Sequence, residues 1–146
     1  MFRELIAASV ALLVGSACAS APQAAAADAD QVVQVAQFRC LLSADYLGRG
    51  RPMAICGLAD GSPFGSSPMS TGKYPVKLNL AVMRSTGEMW WEAGPVPGSP
   101  GQAAVGMGQS YTANGWTVSS DEHRTVIKND NTGHGMILNP ADVRQL

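Results

Sequence analysis

The chain has 146 residues, 46% of them hydrophobic and 14% charged, and its ten basic and eleven acidic side chains give a net charge of −1. That length suits one domain with its own core. A nearly neutral surface argues against nucleic-acid binding, which usually needs a clustered basic face, and against a strongly electrostatic membrane contact.

The first 27 residues predict an export signal. Arg3 precedes an apolar run from Leu5 to Val14, and small residues follow. The apolar run is too short for a transmembrane helix, which needs roughly 20 residues. We therefore expect a secreted or cell-envelope protein, with a mobile N-terminal helix as the alternative interpretation of this segment.

Three processing sites compete near the end of the signal, between residues 17 and 27. The small residues around position 18 allow cleavage before Ser20, and the alanines at 25–27 allow cleavage before Asp28. The third interpretation treats Gly15 to Cys18 as a bacterial lipobox, which would make Cys18 a lipidated first residue. Gly15 stands where that box usually has a bulky aliphatic residue. Only lipidation of Cys18 would give a membrane contact on this interpretation.

Two cysteines, Cys40 and Cys56, remain as thiols after any of these cuts, and we expect them to form a disulfide in an oxidising compartment. They lie 16 residues apart, with a turn signal from Gly48 to Pro52 between them. This spacing suits two neighbouring strands bridged near their ends. Closing such a loop stabilises a fold by about 3 kcal/mol in the chain-entropy model. A redox or metal pair is the alternative, but a C-x-x-C spacing is absent.

The segment 28–36 is predicted to be a linker, with a short helix over 24–36 as the alternative because alanine favours helices. Beyond it, turn residues recur every 8 to 15 positions between β-branched and aromatic runs, which predicts a single all-β domain over 37–146. We expect a compact antiparallel sandwich or small barrel built from hairpins. The candidate strands are 37–43, 52–58, 77–84, 88–93, 115–119, 124–128 and 134–138.

The best-defined hairpin joins 77–84 to 88–93. If Thr86 and Gly87 form a two-residue turn, Met83 lies opposite Trp90 and Val82 opposite Trp91. Trp90 and Trp91 must then point to opposite faces of the sheet. Trp90 with Met83 could form an exposed apolar patch that binds a partner. The alternative is that a second sheet or the 94–101 loop covers Trp90.

A second hairpin is predicted with Asp121 and Glu122 as its turn, so that Trp116 faces Ile127 and Val118 faces Thr125. After the next turn, at 129–133, a third strand completes a meander. The final residues, from Pro140, are expected to form one short turn of helix.

Two long loops connect these elements, at 60–74 and 94–101. Long loops in small domains are often functional or mobile. The alternative is that they only cross from one sheet to the other.

Few residues suggest chemistry. His123 lies beside Asp121 and Glu122, and His134 lies near Asp130; a histidine with a carboxylate can act as acid and base. Both groups fall at predicted turns, where polar residues are common in any case. No metal site, calcium loop or cofactor is predicted.

The segment from Asn129 to Met136, preceded by Gly115 to Val118, resembles small exported proteins of mycobacteria and related actinobacteria. The resemblance covers the C-terminal third and carries no established activity, so it assigns no functional residue here.

We therefore expect a non-enzymatic binding protein at the cell envelope or outside the cell, whose partner is a protein or an envelope ligand. One alternative is a small extracellular hydrolase that uses His134 or His123. Another is an inhibitor-like module that presents the proline- and glycine-rich loop.

Overall fold

A computed structural model describes residues 29–98 and 103–146 and consists of two β-sheets packed face to face as a sandwich. The first sheet contains, in spatial order, β5 (Met89–Glu92), β4 (Leu80–Arg84), β3 (Met53–Leu58), β2 (Phe38–Ser43), β1 (Gln31–Val35) and β6 (Ala103–Val105). The second contains β11 (Asp142–Gln145), β10 (Gly135–Asn139), β9 (Thr125–Asn129), β8 (Trp116–Ser120) and β7 (Ser110–Ala113). The predicted all-β class is confirmed. The predicted export signal and Cys18 lie outside the described residues.

The first sheet is buried on both of its faces. Its inner face joins the second sheet in the main core, in which Phe38, Met83 and Trp116 are among the largest buried side chains. Its outer face carries a second cluster that includes Val32, Ile55 and Val82. Strands buried on both sides lose the alternation of polar and apolar residues, which explains the nearly continuous apolar sequence of β3.

The outer cluster is covered by the proline- and glycine-rich segment that follows β5. Val96 packs against the cluster. A Cβ atom on Gly98 would lie 2.7 Å from Val32 Cγ2, so only glycine allows this close approach. The segment joins β5 and β6, which form the two edges of the first sheet. The alternative that this loop crosses from one sheet to the other is therefore wrong, and its residues 99–101 lie outside the described part of the chain.

Residues 31–35, predicted as linker or helix, form strand β1. This strand pairs antiparallel with β2 and parallel with β6, so it lies inside the sheet. Val33 and Val35 are fully buried in the main core, while Val32 is buried on the outer side. Burial on both faces overrides the helix propensity of the neighbouring alanines. The domain therefore begins before residue 37.

The disulfide joins Cys40 to Cys56, which are directly opposite each other on β2 and β3 with 4.1 Å between their Cα atoms. The pairing of these cysteines on neighbouring strands agrees with the prediction. The bridge lies in the middle of both strands and fully buried in the main core, rather than near the strand ends.

The β4–β5 hairpin has a register one residue away from the predicted one. Its loop has three residues, with Gly87 at a φ of +96° and Arg84 donating its N–H to the Glu88 carbonyl at 2.9 Å. Val82 therefore lies opposite Trp90, and Met83 lies opposite Met89. The predicted pairing of Met83 with Trp90 is wrong, because a three-residue loop needs the left-handed conformation that Gly87 supplies.

The β8–β9 hairpin differs from its predicted register by two residues. Val118 pairs with Ile127 and Ser120 with Thr125, so the loop spans 121–124. A shift of two residues keeps every side chain on its predicted face, since the side-chain period of a strand is two. Trp116 and Ile127 are fully buried as a result, and the Trp116 indole donates to the Ser43 carbonyl at 3.1 Å across the two sheets.

The C-terminal residues form strand β11 instead of the predicted helical turn. Pro140 and Ala141 form the turn of a hairpin in which Asn139 pairs with Asp142. The Asn139 side chain accepts the Ala141 N–H at 2.9 Å, which fixes this turn locally. Val143 is buried in the core and gives the strand its apolar anchor.

Candidate functional site

The two histidines lie at opposite ends of the sandwich. His123 precedes the first residue of β9 and His134 follows its last residue through the 130–134 turn. We call these two ends the His123 end and the His134 end. The geometry therefore does not combine the two imidazoles in one site.

The His123 cluster is held together by its backbone. Asp121 Oδ1 accepts the N–H of His123 at 2.8 Å and that of Arg124 at 2.9 Å. These two hydrogen bonds lower the pKa of Asp121 and stabilise its charged form. The imidazole of His123 is exposed, and Asp121 Oδ1 accepts from the backbone of the loop. This is the chemistry of a polar turn.

The His134 cluster is also arranged around a turn. Asp130 Oδ1 accepts a hydrogen bond from Thr117 Oγ1 at 2.6 Å. The His134 ring lies against the β4–β5 turn, since a Cβ atom on Gly87 would lie 2.9 Å from its Nδ1. Thr132 Oγ1 donates to the Ser85 carbonyl at 2.6 Å and holds the two turns together. His134 is exposed and lies against the β4–β5 turn, and Asp130 accepts from Thr117 instead.

Trp90 and Met83 lie on opposite faces of the first sheet. Met83 is 1% exposed in the main core and cannot belong to a surface patch. Trp90 is half-buried against the outer cluster, with the Arg84 guanidinium carbon 4.9 Å from its ring centre. Its indole N–H donates to Glu92 Oε1 at 2.8 Å. The predicted patch is thus reduced to one tryptophan that its neighbours partly cover.

A cleft of about 510 Å³ opens at the His123 end between the two sheets. Its apolar floor includes Phe38, Val105 and Leu138, which are side chains of the main core. The 121–124 loop and Pro140 form part of its rim. The cleft has room for a small ligand. Most of the polar side chains that line it are exposed to solvent.

Three exposed apolar side chains at this end belong to the loop between β3 and β4. Residues 69–77 form a short protruding hairpin, which we call the arm, closed by a bridge between Met69 and Lys77. Ser70 donates its N–H to the Val76 carbonyl at 2.7 Å. Every residue from 71 to 77 is exposed, and Tyr74 is 80% exposed.

The base of the arm is fixed in the core. Phe64 is fully buried, with its ring 5.9 Å from that of Phe38 and 5.7 Å from that of Trp91. Gly65 donates its N–H to the Pro140 carbonyl at 2.9 Å, which ties the loop to the second sheet. The loop thus reaches across the His123 end and returns to its own sheet. A fixed base lets the arm hold its side chains in place in solvent.

The sequence predicts that the loop at 60–74 is functional or mobile, but it gives no residue of this loop a functional role. Met69, Tyr74 and Val76 carry no periodic pattern, so only their exposure in the fold identifies them. The available signal was Phe64, an aromatic residue among glycines, serines and prolines, which indicates a buried anchor within a loop.

Within residues 29–98 and 103–146, no three histidine, cysteine or acidic side chains lie close enough together to hold a metal ion. None of the helical segments in these ranges is long and apolar enough to cross a membrane.

Comparison of the chain with family models, curated proteins and solved structures finds no match.

Proposed function

We propose that the protein is a non-enzymatic binding protein, secreted or attached to the cell envelope, that contacts its partner with the arm. The observation that carries this proposal is the exposure of three large apolar side chains on one short segment: Met69 at 56%, Tyr74 at 80% and Val76 at 53%. Contiguous apolar groups on the surface of a soluble domain are typical of interaction sites.

The rigid base supports the same proposal. Binding costs less free energy when the contacting segment is already ordered. Phe64 in the core and the hydrogen bond from Gly65 to Pro140 fix the chain just before the arm, and the Met69–Lys77 bridge closes the arm itself.

The disulfide and the predicted export signal support the location that we propose. The buried disulfide between Cys40 and Cys56 is consistent with an oxidising compartment. The predicted signal over residues 1–27 and the resemblance to small exported actinobacterial proteins agree with it.

Cell fractionation tests the proposal. The producing organism would express the protein with Cys18→Ser, so that no acyl chain can hold it at the envelope. We expect the processed protein to be retained on the envelope, and Tyr74→Ser with Val76→Ser to move most of it to the medium.

Leu47 provides the matched control for this experiment. It is 70% exposed on the β2–β3 loop, at the other end of the sandwich, and its φ of +58° suits asparagine. Leu47→Asn should therefore remove an exposed apolar side chain without releasing the protein. Equal release by both changes would refute the arm as the contact surface.

A small hydrolase remains the second candidate, but the geometry gives it less support. Asp121 and Asp130 accept hydrogen bonds from groups other than the imidazoles of His123 and His134. If a hydrolytic activity is found, we expect His123→Ala and His134→Ala each to retain it. Loss of that activity in either variant, with an unchanged melting temperature, would favour the hydrolase.

The inhibitor-like alternative required the proline- and glycine-rich loop to protrude. Over residues 94–98 that segment instead packs on the outer face of the first sheet. The arm is the better candidate for a protruding loop.

A further inference from the structure

We infer that the arm binds an anionic lipid surface, with its lysines on the headgroups and its apolar side chains at the boundary with the acyl chains. This inference rests on the proposed function, since it names the partner of the same surface.

Positive charge is concentrated on the arm. No acidic residue occurs between Asp60 and Glu88, whereas Lys73, Lys77 and Arg84 do. Arg84 is paired with Glu88 at 2.7 Å, but neither arm lysine forms an ion pair with any described residue. The arm is therefore a local cationic site on a chain whose net charge is −1. The net charge of the whole chain argues against an electrostatic membrane contact, but it does not show that these positive charges lie together on the arm.

Of the acidic groups near the base of the arm, Asp142 is already paired with a cation. Asp142 Oδ2 accepts from Arg144 Nε at 2.8 Å, and Asp142 Oδ1 accepts from Ser66. Asp60 accepts only from the neutral hydroxyl and N–H of Ser62, so it keeps its negative charge. The arm itself, residues 69–77, carries the two positive charges of Lys73 and Lys77 and no negative charge.

The arm combines lysine with an aromatic side chain. Lys73 Nζ lies 5.6 Å from the centre of the Tyr74 ring, so the ammonium group and the aromatic ring are presented together. Tyrosine at the headgroup level and lysines that keep their ammonium groups in water are typical of membrane interfaces. Lysine is depleted in the centres of protein interfaces, which disfavours an acidic protein as the partner.

The position of the arm on the sandwich also suits contact with a membrane surface. The exposed residues 71–77 form the tip of a hairpin that protrudes from one end of the sandwich, and Met107 is 69% exposed on another turn of that end. A protruding tip can reach the headgroup region while the rest of the domain stays in water. Depth of insertion is limited because Lys73 is adjacent to Tyr74. Lys77 lies at the bridge that closes the arm, where its Nζ donates to the Gly65 carbonyl at 3.1 Å.

Vesicle co-sedimentation tests the inference with the processed protein, purified from cells that carry Cys18→Ser. The probes are vesicles of phosphatidylcholine alone and vesicles with an equal part of phosphatidylglycerol. We expect binding to the anionic vesicles only, and a loss on raising the salt from 0.1 M to 0.5 M, because salt screens exposed charges. Each lysine near an anionic surface contributes about fivefold in partitioning, so Lys73→Gln with Lys77→Gln should lower it about 25-fold.

Lys128 is the matched control, since it is the third lysine of the domain and is exposed on β9 near the His134 end. Lys128→Gln should keep binding within about twofold of the unmodified protein, as a charge more than a Debye length from the surface contributes little. Tyr74→Ser should weaken binding with the lysines intact.

Three outcomes would overturn the inference: no binding to anionic vesicles, equal binding to neutral vesicles, or an equal loss with Lys128→Gln. Envelope retention that depends on Tyr74 but is not reproduced by vesicles would indicate an acidic protein partner. In that case the lipid inference fails while the proposed binding function stands. Failure of both experiments would refute the proposed function as well.

Discussion

Phe64 packs edge-to-face on Trp91, with 5.7 Å between the ring centres and 70° between the ring planes. One ring comes from a long loop and the other from an edge strand, so this contact connects the arm's base to the sheet. Edge-to-face aromatic pairs contribute about 0.5–1.5 kcal/mol beyond the burial of their surface.

We expect Phe64→Ala to lower the free energy of unfolding by about 3–5 kcal/mol, because it opens a cavity in the main core. Urea unfolding followed by tryptophan fluorescence measures the change. Phe64→Leu fills most of the same space and should cost clearly less. A Phe64→Ala variant as stable as the unmodified protein would show that the loop is not anchored here.

Replacing both Cys40 and Cys56 by alanine should lower the free energy of unfolding by about 3 kcal/mol, since the unfolded chain regains the freedom of a loop of 16 residues. Denaturant unfolding of the processed protein, with and without reductant, measures this loss. Detection of two free thiols in the denatured, unreduced protein would contradict the bridge.

Among the glycines of residues 29–98 and 103–146, Gly135 has the least room for a side chain. A Cβ atom there would lie 2.2 Å from the Ile127 carbonyl oxygen and 2.9 Å from the Lys128 Cα, and backbone atoms cannot rotate away. Gly135→Ala should therefore cost at least about 1–3 kcal/mol of stability, measured by thermal unfolding.

Gly106→Ala is the control for this substitution. Its Cβ atom would meet the end of the flexible Gln109 side chain at 3.1 Å. We expect a change within about 0.5 kcal/mol, as for most surface substitutions. Equal losses at the two glycines would argue against a steric cause.

The pKa of Asp60 should lie below its ordinary value of about 3.9, because the Ser62 hydroxyl and N–H stabilise the carboxylate. When folding lowers the pKa of a carboxyl group, the charged group adds stability to the fold at pH values above its ordinary pKa. This contribution is lost as the pH falls through the lowered pKa. NMR titration should show Ser62→Ala raising the pKa of Asp60 while leaving that of Asp121 unchanged. A pKa of Asp60 that does not respond to Ser62→Ala would contradict the assignment.

Turn length decided how much of the fold the sequence could predict. In the β8–β9 hairpin a register error of two residues left Trp116 on its correct, buried face. In the β4–β5 hairpin an error of one residue exchanged the faces and paired Met83 with Trp90. The difference between a two-residue and a three-residue turn at Gly87 depends on its backbone conformation, which residue types alone do not specify.

Strand β1 and the arm were missed for different reasons. The valines of β1 follow an alanine-rich stretch, and burial on both faces of the sheet removes the alternation that marks a strand. The arm was missed because exposure results from the surrounding packing. Phe64 and Tyr74 are both aromatic residues of one loop, yet one is fully buried and the other 80% exposed.

The parallel pairing of β1 with β6 also determines the order in which the chain can complete its first sheet. β1 is synthesised before the other described strands, but one of its edges stays open until β6 arrives, after four other strands. A fragment that ends before residue 103 would present the unpaired backbone groups of β1, which is the kind of edge that recruits other chains. Truncation before residue 103 should therefore yield aggregates instead of a smaller soluble domain.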